Sequence, residues 1–563
     1  MNLSKNILKS NNFFVIFVCL IIFFYFLNAV FFSRNIFSNH VLIIFTEAKQ
    51  FLDSKVLYKE IHVLYGIGQT LFNALSLYLF GQNVFSIQLN TNIFYFLSIF
   101  FIFLICLKIN LIRIDSLFLI LILINIHPIP IYPWSNYLAF LPLVISLYFA
   151  LDKNKFNLFL SGLFLAIACL NRETTLLSAI IISFYIIYEF YFKSKNLNII
   201  KFYVSGLFLL LIIFVVYMFV TSNYLIWMEL IYPLYRWQSL INMGYFIHTD
   251  ITPLRKFYIF VFAPYRELFL TFLKSIYNFW PNWILIFVSY FSCLFIIYKR
   301  ITNSKFLKEN ENIKYSLSII SVYSLALILQ NIHQVDINRV ATGSILGLIV
   351  SFYIYSKIAH NNKIRILSYI LILLLLFVRP FDTFHKLNLL DVYKLSFYNI
   401  KNNFYSLFYN QDNASNYKKI PEFRFMNYNQ SVHKFYAEVE ELCEDLKIKK
   451  GIKYSDNQTP FWDLSYFCKT QPKYYYVFPS TFTEENFKKS QFKYNSNNIN
   501  TVEFHVSNDI DLKEEDYIDI RGFTKKRYLK DFKIIHIFDF KEKYPDLYKD
   551  YKIRYLFVIQ KIK

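Results

Sequence analysis

The chain has 563 residues, of which 56% are hydrophobic and 21% aromatic, but only 17% are charged. A soluble globular domain is nearer a quarter charged, so this composition excludes an ordinary soluble protein. The formal net charge of +21 would suit a nucleic-acid-binding protein. The basic residues instead punctuate long apolar runs, as membrane topology requires. We therefore predict a lipid bilayer as partner and no nucleic acid.

The acidic residues divide the chain into two parts. Residues 1–384 hold 14 of the 38 acidic residues, and the last 179 residues hold the other 24. We therefore predict an all-α polytopic membrane domain over 1–384 and a mixed α/β domain outside the cytoplasm over 385–563. In the second domain we expect a helix at 432–446 and strands at 474–478, 534–538 and 555–559.

About eleven apolar segments reach or approach the ~20 residues that cross a bilayer as a helix. If the N-terminus is cytoplasmic and the first run is an uncleaved span, the inner segments hold 17 basic and 5 acidic residues. The outer segments of the membrane part then hold 12 basic and 9 acidic residues, in keeping with the positive-inside rule. The predicted spans are 12–32, 84–107, 114–128, 137–151, 156–170, 174–192, 202–221, 281–298, 315–331, 340–356 and 364–380.

Two outer loops of the membrane part are long. The first, 33–83, contains an apolar stretch at 67–80 that is too short to cross, so we expect it at the membrane interface. The second, 222–280, carries a basic amphipathic stretch at 255–274. That stretch suits the headgroup layer, or else hides a helical pair that crosses and returns.

The first outer loop also carries a motif. It reads Thr46-Glu47-Ala48-Lys49-Gln50-Phe51-Leu52-Asp53-Ser54-Lys55-Val56-Leu57-Tyr58-Lys59-Glu60, continues through Tyr65-Gly66-Ile67-Gly68-Gln69 and closes with Leu79-Phe80-Gly81. This loop resembles that of the GT-C superfamily of polytopic glycosyltransferases, in the group of bacterial relatives of protein O-mannosyltransferases and the lipid A aminoarabinose transferase. Members there show an acidic residue, a short helix ending near GK-x-x-Y-x-D/E, a YGP or KPP turn, and an interfacial helix ending in F-G.

The resemblance implies transfer of a sugar, with inversion, from a polyprenyl-phosphate donor to a glycan, lipid or protein acceptor. The reaction would take place at the outer face of a bacterial inner membrane. Relatives use an outer-loop carboxylate as general base, which typically contributes roughly 10²–10⁴-fold. The family's leading acid is missing here, because positions 38–41 hold no carboxylate. The candidate bases are therefore Glu47, Glu60 and His40. No cofactor is indicated, and a divalent metal stays open.

Arg172 is the first candidate for holding the donor phosphate, since a planar guanidinium matches phosphate oxygens. The alternative is a local pair with Glu173 that only anchors the interface. The first-loop acids have an alternative of the same kind, namely surface pairing with Lys49, Lys55 or Lys59. The full set of substrate-binding candidates is Arg172, Glu173, Arg339, His333, Arg236, Tyr58 and Tyr65.

Six cysteines are present. Cys443 and Cys468 are the two in the outer domain, and an oxidising compartment predicts a disulfide between them. The other four lie in apolar spans, where a thiol behaves as a small hydrophobic group.

Two rival functions stay open. One is a non-catalytic membrane scaffold or biogenesis factor, which the missing leading acid favours. The other is a transporter, which we disfavour because the sequence shows no pair of broken helices in corresponding halves.

Overall fold

A computed structural model of the protein describes residues 12–34, 39–57, 63, 66–126, 133–172, 174–193, 197–221, 273, 276–277, 279–302, 310–328, 337–359, 361–378, 420–423, 426, 430–450, 502–507, 532–545, 547–548 and 554–561. The described part is mainly helical and contains one small sheet.

The helices are, in chain order, α1 (Asn12–Ser33), α2 (Asn39–Leu52), α3 (Ile67–Phe80), α4 (Val84–Lys108), α5 (Arg113–Ile126), α6 (Ser135–Ala150), α7 (Lys155–Asn171), α8 (Thr175–Tyr188), α9 (Leu197–Val220), α10 (Trp280–Ile301), α11 (Glu311–Ala326), α12 (Ile337–Ile358), α13 (Asn362–Val378), α14 (Gln430–Lys450) and α15 (Phe540–Lys543). A π-helical turn, Glu189–Lys193, continues α8. The strands are β1 (Val502–Ser507), β2 (Phe532–Asp539) and β3 (Tyr555–Lys561).

Each predicted span coincides with a helix. Of the described helices, five are long and apolar enough to cross a membrane: α1, α4, α8 with its π-helical turn, α9 and α10. The chain is therefore a helical membrane protein, and the count of eleven crossings stays a prediction. The predicted ends of the third and ninth spans, at 128 and 331, lie outside the described residues.

Helices α7 and α9 pack backbone against backbone through two glycines. A Cβ added to Gly206 would lie 2.0 Å from the backbone oxygen of Phe159, and one added to Gly162 would lie 2.2 Å from that of Tyr203. Small residues allow this close approach, which is a common way for helices to associate within lipid.

We predict that Gly206→Ala lowers the thermal unfolding midpoint of the protein in lipid nanodiscs. The added methyl group forces the two backbones apart, and such overpacking costs about 1–3 kcal/mol. Ser205→Ala is the matched control, because Ser205 is exposed on the neighbouring position of the same helix. An unchanged midpoint for Gly206→Ala would contradict the close crossing.

Buried ion pairs join helices at the end of the bundle where α8 and α10 finish. Arg300 donates from Nε to Glu189 Oε1 (3.1 Å) and from Nη2 to Glu189 Oε2 (2.8 Å), and it also pairs with Glu311. At the same end, Arg365 Nε on α13 lies 3.4 Å from Asp115 Oδ1 on α5. Charges buried at a membrane boundary are stable only when they are paired, as these are.

The segment 33–83, predicted as the first outer loop and given that name below, has α2 and α3 as its described helices, with a sharp corner before α4. Gly81 ends α3 with φ +97°, a conformation that favours glycine, so the F-G ending of the motif has a backbone reason. Asn83 then caps α4 by accepting from the Ser86 backbone N–H (3.0 Å). The stretch predicted as interfacial is thus a helix, and its place in a bilayer stays a prediction.

The C-terminal segments form a small α/β unit. The sheet has the order β1-β3-β2 and is antiparallel, with Phe504 opposite Val558 and Ile537 opposite Phe557. The predicted helix at 432–446 lies within α14, and the predicted strands at 534–538 and 555–559 lie within β2 and β3. Strand β1 was missed, and 474–478 lies outside the described residues.

This C-terminal unit shares one hydrophobic core with the first outer loop. Phe435 of α14 is fully buried, with ring contacts of 5.4 Å to Phe538 and Tyr544. The same core contains Val41, Leu42, Ile44, Phe45 and Ala48 of α2, together with Ala74 and Leu77 of α3. Burying a large apolar side chain contributes about 1.5–3 kcal/mol, so this core fixes α2 in place.

Cys443 on α14 is disulfide-bonded. Cys468 lies outside the described residues, so its pairing with Cys443 stays a prediction. Cys19, Cys106, Cys169 and Cys293 are free thiols within the helices, as expected for small hydrophobic side chains.

Candidate functional site

The glycine turn of the first loop packs directly on the end of α7. A Cβ on Gly66 would lie 2.4 Å from the Leu170 backbone oxygen, and one on Gly68 would lie 2.8 Å from the Asn171 side-chain oxygen. Only glycine permits this approach. The motif of the first loop and the turn that carries Arg172 are therefore neighbours in space.

Arg172 follows α7 and is 3% exposed. Its Nε donates to the Thr174 hydroxyl at 2.8 Å, which fixes the guanidinium against the start of α8. Glu173 lies outside the described residues, so a local Arg172–Glu173 pair stays untested.

Glu47, a candidate base, lies on α2 and is 5% exposed. The Thr70 hydroxyl of α3 donates to Glu47 Oε2 at 3.4 Å. Asp53 behaves differently, because it is half exposed and pairs with Lys49 one helical turn earlier. Surface pairing therefore accounts for Asp53, whereas Glu47 is held inside the protein between the two loop helices.

Helix α3 buries polar side chains and exposes apolar ones, which is the reverse of a surface helix in a soluble protein. Its buried face carries Gln69 and Asn73, while Leu71, Leu75 and Tyr78 on the other face are exposed. A face of exposed leucine and tyrosine suits lipid, which leaves the amides pointing into the protein. There Asn73 Oδ1 accepts from Asn90 Nδ2 of α4 at 2.9 Å.

Further buried amides stand at the same level of the bundle on α4 and α6. The rings of Tyr95 and Tyr137 are in contact at 5.7 Å. The two helices run in the same direction, because Lys108 at the end of α4 donates to the Tyr148 backbone oxygen near the end of α6. Asn92 lies about one turn before Tyr95, and Asn136 immediately precedes Tyr137. Gln88 lies one turn before Asn92, and Asn92 Nδ2 donates to the Gln88 backbone oxygen at 2.8 Å. These amides therefore gather where α4 and α6 begin.

The end of α7 completes this group. Asn171 Nδ2 donates to the Leu138 backbone oxygen of α6 at 3.2 Å, next to the turn that carries Asn136. We call the six side chains the amide cluster: Gln69, Asn73, Gln88, Asn92, Asn136 and Asn171. Each is at most 3% exposed.

Eight side-chain atoms of the amide cluster have no hydrogen-bond partner among the residues that the structure describes. Four are nitrogens, on Gln69, Asn73, Gln88 and Asn136. Four are oxygens, on Gln69, Gln88, Asn92 and Asn171. An unsatisfied buried donor or acceptor costs about 1–3 kcal/mol. The unpartnered atoms lie on two faces of α4, because Asn73 bonds Asn90, and Asn90 lies about 200° around the helix from Gln88 and Asn92. Such buried positions are ones that ordered water or a polar ligand would satisfy.

The structure places Glu47 and Arg172 on either side of the start of α3: Glu47 accepts from Thr70, and Gly68 packs on Asn171, which precedes Arg172. Glu60, Tyr58, Tyr65, Arg236 and His333 lie outside the described residues. The backbone of His40 belongs to α2 and that of Arg339 to α12, but their side chains are not described. In the described residues, no group of three His, Cys, Asp or Glu side chains comes together.

Sequence reasoning missed the amide cluster and Arg34. Arg34 follows α1 and is buried, and burial lowers the pKa of its guanidinium. The sequence did contain a signal for Arg34. It is a single basic residue at the predicted outer end of a span, where the positive-inside rule disfavours one. For the cluster the signal was amides four residues apart within apolar helices, Gln69 with Asn73 and Gln88 with Asn92.

The described residues define a helical membrane protein with buried polar side chains where the first outer loop packs on the end of α7. Comparison with known proteins finds no matching family model, no matching curated protein and no matching solved structure.

Proposed function

We propose that the protein is a membrane glycosyltransferase that moves a sugar, with inversion, from a polyprenyl-phosphate donor to an acceptor on the outer face of the membrane. The observation that carries the proposal is the packing of Gly66 and Gly68 on the Asn171 turn. It brings the loop that resembles the GT-C motif next to Arg172, and Glu47 of the same loop is buried nearby.

The proposed roles follow from the chemistry of each group. Arg172 is the proposed ligand of the donor phosphate, which its planar guanidinium suits. Glu47 is the proposed base, because an acceptor hydroxyl is a poor nucleophile until a carboxylate removes its proton. The exposed apolar face of α3 would lie in the outer leaflet, where the lipid chain of the donor also lies. Eleven spans would then place the C-terminal unit on the same side as the site.

A donor-binding experiment tests the proposal. We expect Arg172→Gln to weaken binding of a polyprenyl-phosphate sugar by roughly 10- to 100-fold, since a hydrogen bond to a charged group contributes about 1.5–3 kcal/mol. Arg172→Lys should weaken donor binding less than Arg172→Gln does, because lysine keeps the positive charge but lacks the planar guanidinium. The measurement is the dissociation constant in nanodiscs, together with transfer to a panel of acceptors.

Arg113→Gln is the control for this experiment, because Arg113 is exposed at the opposite end of α5 from the site. Thermal unfolding of each variant separates lost binding from lost folding. Equal donor binding by wild type and Arg172→Gln would remove Arg172 from the site, and no binding of any donor would overturn the proposal.

A non-catalytic membrane scaffold is the second candidate. The burial of Glu47, at 5% exposed, together with the absence of a carboxylate at 38–41, favours it. A scaffold would use Glu47 only to join α2 to α3. If the protein is a scaffold, we expect it to be stable and neither to bind nor to transfer any lipid-linked sugar.

A further inference from the structure

We infer that Thr174 is a positioning residue, which orients the Arg172 guanidinium for the donor phosphate. The inference rests on the proposed function, in which Arg172 binds that phosphate, and it adds the side chain through which Arg172 is held. The observation behind it is the hydrogen bond from Arg172 Nε to the Thr174 hydroxyl at 2.8 Å.

The backbone of Arg172 is tied to both neighbouring helices. Its N–H donates to the Ala168 backbone oxygen of α7 at 3.1 Å, and the Thr175 N–H at the start of α8 donates to the Arg172 backbone oxygen at 3.0 Å. The Cα atom of Arg172 is therefore held in one place between α7 and α8. An arginine side chain still has many rotamers from a fixed Cα, so a second contact is needed to set the direction of the guanidinium.

The Thr174 hydroxyl makes this second contact in place of an ordinary helix cap. Thr174 immediately precedes α8, where threonine usually accepts from a backbone N–H of the first helical turn. Asn83, Asn154 and Asn310 do this at the starts of α4, α7 and α11. Among the described residues, the Thr174 side chain makes no such bond, and its backbone is helical (φ −63°, ψ −17°) where a capping residue is usually extended. Capping of α8 therefore does not account for this hydroxyl, whereas the bond from Arg172 does.

The bond also determines which edge of the guanidinium a phosphate can use. A guanidinium can donate two parallel hydrogen bonds from Nε and one terminal nitrogen, or from both terminal nitrogens. Because Arg172 Nε already donates to Thr174, a phosphate that receives two parallel bonds would receive them from Nη1 and Nη2. A guanidinium held in one orientation before the donor arrives loses less side-chain freedom on binding. Thr174 would thus strengthen donor binding without touching the donor.

Binding of polyprenyl phosphate to the whole protein in nanodiscs tests the inference, which concerns the phosphate and not the sugar. Thr174→Val keeps the shape of the side chain and removes the hydroxyl. We expect it to weaken binding about 3- to 10-fold, the usual cost of ordering one long side chain on binding. Thr174→Ser keeps the hydroxyl and should bind as wild type does. Thr302→Val is the matched control, because it removes a hydroxyl that donates to the Tyr298 backbone oxygen (2.9 Å) at the end of α10, beside the far end of α8.

A double-mutant cycle separates a positioning role from a merely structural one. If Thr174 acts through Arg172, Thr174→Val should weaken binding in the wild-type background but not in Arg172→Gln, which has no guanidinium to orient. A residue that only holds the turn would weaken binding equally in both backgrounds. Rescue by serine is a second check, because serine restores the hydroxyl but not the methyl group.

The outcomes are distinct. Wild-type binding by Thr174→Val, or an equal loss in both backgrounds, overturns the inference and leaves the role of Arg172 intact. Undiminished binding by Arg172→Gln removes Arg172 from the site, and the inference falls with it. If the wild type does not bind polyprenyl phosphate or any sugar that it carries, the proposed function fails as well. Thr174→Ala takes the place of Thr174→Val in the same cycle if the valine variant does not fold.

Discussion

Replacing Glu47 by glutamine is expected to lower turnover by roughly 100-fold or more at saturating donor, because a positioned general base contributes at least that much. Donor binding should change little, since a base acts mainly in the transition state. Glutamine keeps the volume of the side chain and can still accept from Thr70, so the buried site should remain folded. The measurement is single-turnover transfer from a polyprenyl-phosphate sugar, with the dissociation constant measured in parallel.

Asp53→Asn is the matched control for Glu47→Gln. Asp53 lies in the same loop but is half exposed and paired with Lys49, so the change should leave turnover as in wild type. A Glu47→Gln protein with a lower unfolding midpoint and undiminished turnover would assign Glu47 a structural role. Glu60→Gln and a His40 substitution would then identify the base among the remaining candidates.

The spans were predictable because the signal for them is local. A long apolar run that must satisfy its own backbone hydrogen bonds has no alternative to a helix, so the run from 84 to 107 became α4 (Val84–Lys108). The basic residues between the apolar runs are also a local signal. Strand β1 was missed because Val502–Ser507 mixes polar and apolar side chains, and its place is fixed by pairing with β3 at the far end of the chain.

The candidate site was predictable only in part. Arg172 was found because a charge in a short outer turn is unusual, and Gly66 was recognised as part of a motif. The burial of Glu47 was not predictable, because the core that encloses α2 comes from α14 and β2, distant in sequence. The amide cluster was hidden for another reason. Single asparagines are unremarkable in this composition, and only the folded arrangement buries their side chains without partners among the described residues.

The largest expected loss of stability comes from the buried pair between α5 and α13. Asp115 and Arg365 are almost fully buried, and the Tyr369 hydroxyl also donates to Asp115 Oδ1 at 3.2 Å. Arg365 donates further to the Ser356 backbone oxygen (3.2 Å) and to Asn362 Oδ1 (2.7 Å). Removing one member of a buried pair leaves the other charge uncompensated, which typically costs about 3–5 kcal/mol.

We therefore expect Asp115→Asn to lower the unfolding midpoint strongly, and Asp115→Asn with Arg365→Gln to recover part of the loss. The recovery is the informative quantity, because residues in direct contact show coupling of about 0.5–3 kcal/mol in a double-mutant cycle. Asp53→Asn again serves as control, since an exposed pair such as Lys49–Asp53 contributes only about 0–1 kcal/mol. Two single losses that simply add in the double variant would show that Asp115 and Arg365 act independently. The pair would then not hold α13 against α5.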